Sequence, residues 1–107
     1  MFEFCTKIAE LLLAKCGTVC TSDSFDMSEL DQKQMNELGA DAKEMEAASI
    51  AYVCQKLDTP LLILKSVTDL VDVPIGSDEQ FMANLAEASK ALNKSLFKLF
   101  SSDLSGI

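Results

Sequence analysis

A chain of 107 residues has the length of one modest domain, which excludes two full ones. With 49% hydrophobic and 24% charged residues, four glycines and two prolines, the composition is globular, not disordered or fibrous. Seventeen acids against nine bases give −8 without any histidine, so the positive field that a phosphate backbone requires is absent and no nucleic-acid partner is expected.

Phe4, Ile8, Leu11, Leu12 and Cys16 recur at helical spacing, which predicts an amphipathic helix over 3–15 closed by Gly17. Thr18 to Thr21 is β-branched and apolar and runs into Ser22, Asp23 and Ser24, as a short strand entering a polar loop does. The acidic stretch 26–40 has weak periodicity and reads as loop with at most one helical turn. Asp41 and Glu44 have capping-box spacing before an Ala-rich segment, predicting a helix from Asp41 to about Leu57 that Asp58, Thr59 and Pro60 end. Leu61 to Val67 is a continuous apolar run bounded by Pro60 and Thr68-Asp69, the pattern of a strand buried on both faces. Val71 to Gly76 reads as a connecting loop. Ser77 and Gln80 form a second capping-box pattern before a long helix carrying Phe81, Leu85, Ala88, Leu92, Leu96 and Leu99 on one side and Lys90, Lys94 and Lys98 on the other.

The resulting order is α/β, a central sheet flanked by helices. Two strands make an unsatisfactory sheet, so neighbouring strands from a partner or from a larger whole are expected. The chain, 1–107, reads as a single partial domain with a loose tail over 101–107.

Cys5, Cys16, Cys20 and Cys54 contain no C-x-x-C pair, and without histidine no tetrahedral Cys/His site can form, so no metal is expected. The acidic loop does not scan as an EF-hand, because Phe25 and Met27 occupy the third and fifth positions from Asp23. The four glycines are isolated, which excludes a Gly-rich phosphate loop. Glu10 interrupts the apolar run near the N-terminus and no basic segment precedes it, so it does not read as a signal peptide. No run approaches the ~20 apolar residues of a membrane span. Reduced thiols and a cytoplasmic location are expected.

Between Asp23 and Glu46 eight acids face two lysines, a net of −6 that reads mostly as solvated surface. Two acids break pattern. On a helix from Asp41, Glu46 falls within about 40° of Ala42, Ile50, Val53 and Leu57, on the apolar stripe. A carboxylate there must be paired, with Lys43 or Lys65 the plain candidates, or must face a polar cavity. Asp69 ends the apolar strand, where α/β sheets border their ligand crevice; its plain alternative is a capping role. Together they suggest a polar pocket in which burial would raise the Asp69 pKa and suit it to general-acid work.

Three stretches, Val19-Cys-Thr-Ser-Asp-Ser-Phe-Asp26, Glu44-Met-Glu-Ala-Ala-Ser-Ile-Ala51 and Leu64-Lys-Ser-Val-Thr-Asp-Leu-Val-Asp72, resemble in order and spacing the C-terminal half of 5′-methylthioadenosine/S-adenosylhomocysteine nucleosidases. The plant-type members look closest, and the resemblance covers about 17–100. It implies a partial nucleoside-phosphorylase-like fold whose N-terminal strands are missing. It implies cofactor-free hydrolysis of the N-glycosidic bond of an adenine nucleoside, through an oxocarbenium-like sugar, in methionine salvage. By resemblance Asp69 is the general acid, Glu46 holds the ribose hydroxyls, Met45 packs on the sugar and Phe25 stacks on adenine. Asp26 lies in the segment that reads the base edge, and Thr68 orients Asp69 or the base. Ser22 stands where many members have Gly, and Asp26 where bacterial members are apolar. The family's water-activating glutamate belongs to the N-terminal half, so little or no activity is expected of this chain alone. The family is dimeric, which implies a homodimer or association with the missing half. The rival readings are a non-catalytic interaction module and a purine nucleoside phosphorylase relative.

Overall fold

The computed structural model describes residues 2–71 and 73–105, so Asp72 and residues 106–107 of the expected tail lie outside the described residues. Six elements follow in chain order: α1 (Phe2–Leu12), β1 (Val19–Thr21), α2 (Glu29–Leu38), β2 (Ala42–Glu44), α3 (Ala47–Lys56) and α4 (Ser77–Ser101). The architecture is α/β, as expected, with a small parallel sheet.

Three helices end in the same way. Past α1, the Leu13 N–H donates to the Glu10 carbonyl at 3.4 Å and the Ala14 N–H to the Ala9 carbonyl at 2.9 Å. The same pair of bonds follows α2 at Gly39 and Ala40, and α3 at Asp58 and Thr59. This closure satisfies orphan carbonyls and needs one residue in the left-handed region. That residue is Leu13 (φ 55°), Gly39 (φ 65°) and Asp58 (φ 51°). Glycine takes this conformation freely, aspartate tolerates it, and leucine is strained by its Cβ. Helix α1 therefore stops at Leu12, short of the predicted Lys15, and Gly17 has no part in closing it.

The acidic stretch is a ten-residue helix, not the predicted loop. The Ser28 hydroxyl accepts the Asp31 N–H and the Asp31 carboxylate accepts the Ser28 N–H, both at 3.1 Å, a reciprocal capping box. Helix α2 buries none of its residues, so no apolar period announces it; its two ends hold it.

The capping box predicted at Asp41 is absent. Ala42–Glu44 is instead a strand, paired in parallel with β1 in the register Val19↔Ala42, Cys20↔Lys43 and Thr21↔Glu44, with α2 as the crossover. The Asp41 carboxylate accepts the Thr18 N–H at 2.9 Å and its own N–H donates to the Thr18 carbonyl at 2.7 Å, which fixes the start of the ladder. Helix α3 begins only at Ala47.

The strand predicted over 61–67 does not form: 59–70 contains neither helix nor ladder. Apolar content gives such a segment reason to be covered, but only a neighbour's N–H and C=O groups make it a strand. β1 and β2 pair with each other, and among the described residues no third strand is offered. Nor is the segment buried on both faces, since Leu62, Ile63 and Val67 are exposed.

Helix α4 occupies the predicted place, but Gly76 caps it without a side-chain bond. Gln80, buried, bonds the Leu70 N–H, the Leu70 carbonyl and the Ile75 carbonyl, each at 2.9 Å, so it closes the 71–75 connection rather than a capping box.

The core is thin. Among the described residues the buried apolar side chains are Ile8, Ala47, Ala88 and Leu99. The accessible surface is 8260 Å², whereas a folded monomer of this mass exposes about 5,800 Å². The radius of gyration is 15.2 Å against about 13 Å for a compact chain of this length.

Leu13 is 90% exposed, so it has strain to lose and little packing. Leu13→Gly is expected to raise stability by about 1 kcal/mol, read as an increase in Tm on thermal unfolding.

Candidate functional site

In a parallel sheet the strands' C-terminal ends face the same way, and ligands of α/β proteins gather there. Here that edge is Thr21 and Glu44, followed by the 22–28 loop and by the Met45-Glu46 turn into α3. The Glu44 side chain is 9% exposed and heavily bonded. The Thr21 hydroxyl donates to its Oε1. Its Oε2 accepts the N–H groups of Glu46 at 2.8 Å and Ala47 at 2.7 Å, and lies 3.2 Å from Lys65 Nζ. The Thr21 hydroxyl in turn accepts the Ala48 N–H at 2.9 Å. Two side chains thus satisfy the first donors of α3, a service its own N-terminus lacks. Burial pushes the Glu44 carboxyl up, but the Thr21 hydroxyl, the two N–H groups and Lys65 outweigh it and hold the pKa down at about 2.

Glu46 is at the N-terminus of α3 with its side chain 67% exposed, so it does not lie on a core-facing stripe. The expected stripe is itself not buried: Ile50, Val53 and Leu57 are exposed, and Ala42 belongs to β2. Lys65 Nζ lies 3.6 Å from Glu46 Oε1, the pairing the plainer alternative named. Met45, half-exposed, shares this turn.

Asp69 and Thr68 are half-buried, and the Thr68 hydroxyl donates to Asp69 Oδ1 at 2.7 Å. The other Asp69 oxygen has no partner among the described residues. Helix α4 holds the backbone here: Asn84 Nδ2 donates to the Thr68 carbonyl at 2.8 Å, and Gln80 clamps Leu70. Phe81, between them in sequence, meets Phe25 edge-to-face, with ring centroids 5.3 Å apart and planes at 87°. Phe25 and Asp69 are therefore brought to the same end of α4. Four residues of chain, about 14 Å at full stretch, separate Asp69 from the lysine that grips Glu46.

Lys43 supports the loop from the other face of the sheet. Its side chain is 7% exposed; Nζ bonds the Asp26 carbonyl, reaches Ser24 Oγ at 3.3 Å and pairs with Asp31 Oδ2 at 3.4 Å. The Ser28 N–H and hydroxyl hold the Asp31 carboxyl below its ordinary range against burial, and Lys43 adds to this. The Asp26 carbonyl is thereby bonded to Lys43, which fixes the loop at this point.

The six candidates lie on three segments, the 22–28 loop, the Met45-Glu46 turn and the Thr68-Asp69 pair, and a polar pocket is the expectation for the space between Glu46 and Asp69. Neither of the two best-formed clefts, one between α1 and Leu62–Leu64 and one of about 150 Å³ against α2, contains any of them. The sequence reading missed Glu44, Lys43, Lys65 and Thr21 as organisers of the edge. Two acids flanking one residue, Glu44-Met-Glu46, were the available signal, but the first was spent on a supposed capping box.

A scan of protein families matches residues 2–101 to the Phosphorylase superfamily. The chain is 40% identical over 92 residues to 5′-methylthioadenosine/S-adenosylhomocysteine nucleosidase of Arabidopsis thaliana, covering 86% of this chain and 36% of that protein. It is 37% identical over 84 residues to an aminodeoxyfutalosine nucleosidase of Helicobacter pylori, covering 77% and 36%. The solved structure of Arabidopsis thaliana 5′-methylthioadenosine nucleosidase in apo form superposes with a TM-score of 0.85 at 35% identity, over 95% of this chain and 43% of that one. The chain spans about a third of the length of the curated relatives it matches.

Glu44 gives the fold an acid-sensitive joint. Its folded pKa lies below the ordinary value of 4.5, so its contribution is present above that pH and is lost as pH falls through about 2. Equilibrium unfolding from pH 5 to pH 2 is expected to show a loss of about 3 kcal/mol from this group. Glu44→Gln should be less stable at neutral pH and should lose that part of the slope.

Proposed function

This chain belongs to the phosphorylase superfamily, and on that premise we propose that it carries the leaving-group and sugar-binding side of a 5′-methylthioadenosine nucleosidase site. What supports this most directly is how the three segments are tied down: Glu44 at the end of the parallel ladder fixes the Met45-Glu46 turn, Phe25 packs on Phe81 of α4, and α4 holds the backbone of the Thr68-Asp69 pair through Asn84.

Cleaving an N-glycosidic bond needs a better leaving group and a stabilised oxocarbenium-like sugar. Asp69, aligned by the Thr68 hydroxyl on one oxygen, uses the other to protonate adenine on its five-membered ring. The Glu46 carboxylate accepts the ribose hydroxyls, and Met45 packs against the sugar. Phe25, steadied by Phe81, stacks on adenine, while the Asp26 backbone, fastened by Lys43, offers its N–H to the base edge. Positioning by fixed groups is itself a large part of catalysis, and here Glu44 fixes the turn that carries Glu46. No cofactor takes part, and activation of the attacking water is assigned to no residue of this chain. Alone it is expected to show little or no activity. S-Adenosylhomocysteine as a second substrate, a place in methionine salvage and a cytoplasmic location belong to the same reading.

In a chimera in which this chain replaces the matching third of the Arabidopsis enzyme, adenine release from methylthioadenosine is expected to persist. In that chimera Asp69→Asn should lower kcat about 10³-fold with KM little changed. Glu46→Gln should raise KM as well as lower kcat. A folded chimera that binds methylthioadenosine but is indifferent to Asp69→Asn would sink the assignment.

A second reading rests on the exposed surface. About 2,400 Å² beyond that of a compact monomer is on the scale that protein interfaces bury. The chain then acts by association, as a homodimer or on a full-length relative. Light scattering after size exclusion is expected to return a mass above the monomer at micromolar concentration; a strict monomer would dismiss self-association.

A further inference from the structure

Cys5 and Cys16 play no part in the edge described above. Cys5 is in α1 and Cys16 follows it by eleven residues, yet their Sγ atoms are 2.7 Å apart. The left-handed turn at Leu13 sends the chain back along the helix it has just left, and both thiols come to rest half-buried beside Ile8, Leu12 and Leu99. Among the described residues Cys20, on β1, and Cys54, in α3, have no such thiol neighbour.

We propose that Cys5 and Cys16 are a redox pair that closes to a disulfide with a low-molecular-weight disulfide such as oxidised glutathione, stapling α1 to the segment that enters β1. The hydrogen bond to Cys16, with burial and the charge on Cys16, raises the Cys5 thiol, which disfavours Cys5 as the first attacking sulfur. The Cys16 thiolate attacks one sulfur of the glutathione disulfide, breaks its S–S bond and releases one glutathione thiolate. Cys5 then loses its proton to water, and its thiolate attacks Cys16 Sγ in the mixed disulfide, releasing the second glutathione. Two protein thiols become one disulfide, and one glutathione disulfide becomes two thiols. In a reducing compartment the pair stays open; the staple closes as the glutathione pool is oxidised.

The full chain carrying Cys20→Ser and Cys54→Ser isolates the pair. After equilibration in glutathione buffers and acid quenching, trypsin should yield peptide 1–7 joined to peptide 16–33, lighter by two hydrogens than the two reduced peptides together. Half-closure in the native chain should need a glutathione poise at least about tenfold more reducing than for the same chain in guanidinium, because folding has already brought the sulfurs together. A native midpoint equal to the unfolded one overturns the proposal. So does a product consisting only of glutathione adducts or of disulfides between chains. Cys5→Ser added to the same background must abolish the joined peptides.

Discussion

The carboxylate of Glu44 is where this structure is tied together. It sits at the last pair of the two-stranded ladder, takes a hydroxyl from β1, two N–H groups from the start of α3 and an ammonium from the 59–70 segment. A buried carboxylate is tolerable only with such partners, and their removal would leave an uncompensated charge. Three pieces of chain with little apolar packing between them are thus held in one arrangement by a single side chain.

β2 uses both of its faces for this work. Glu44 anchors the turn that presents Met45 and Glu46, and Lys43, one residue earlier and therefore on the opposite face, anchors the loop that presents Phe25 and Asp26. Alternation along a three-residue strand is enough to hold two connecting segments from two sides of the sheet. The third segment, with Thr68 and Asp69, is held by α4 through Asn84 and Gln80. Backbone carbonyls and N–H groups are what these polar side chains grip, so loop conformation is set without a large core.

Much of the fold was legible in the sequence. Helix α4 has a sustained apolar period, β1 has β-branched residues ended by a polar cluster, and Asp58 does end α3. What was not legible depended on hydrogen bonds between residues distant in sequence. Asp41 and Glu44 have capping-box spacing, yet Asp41 bonds Thr18, and Glu44 caps α3 from a strand. Helix α2 hides because both of its determinants are at its ends. Leu61 to Val67 has strand composition, but a ladder needs a partner. Glu46 was singled out by an apolar stripe that the molecule leaves exposed; the resemblance of Glu44-Met-Glu46 to a family motif chose it independently. Asp69 stood out by its position after an apolar run, which required no correct assignment of the run itself.

The thin core has a thermodynamic signature. Heat capacity and denaturant dependence of unfolding both scale with the surface that folding hides. A chain that leaves about 2,400 Å² more than usual in water hides about a fifth less than a compact domain of its mass. Its unfolding is accordingly expected to be shallow in denaturant and broad in temperature, with segments that open separately. Where surface burial contributes this little, the polar ties at Glu44, Lys43 and Gln80 carry a larger share in setting local geometry.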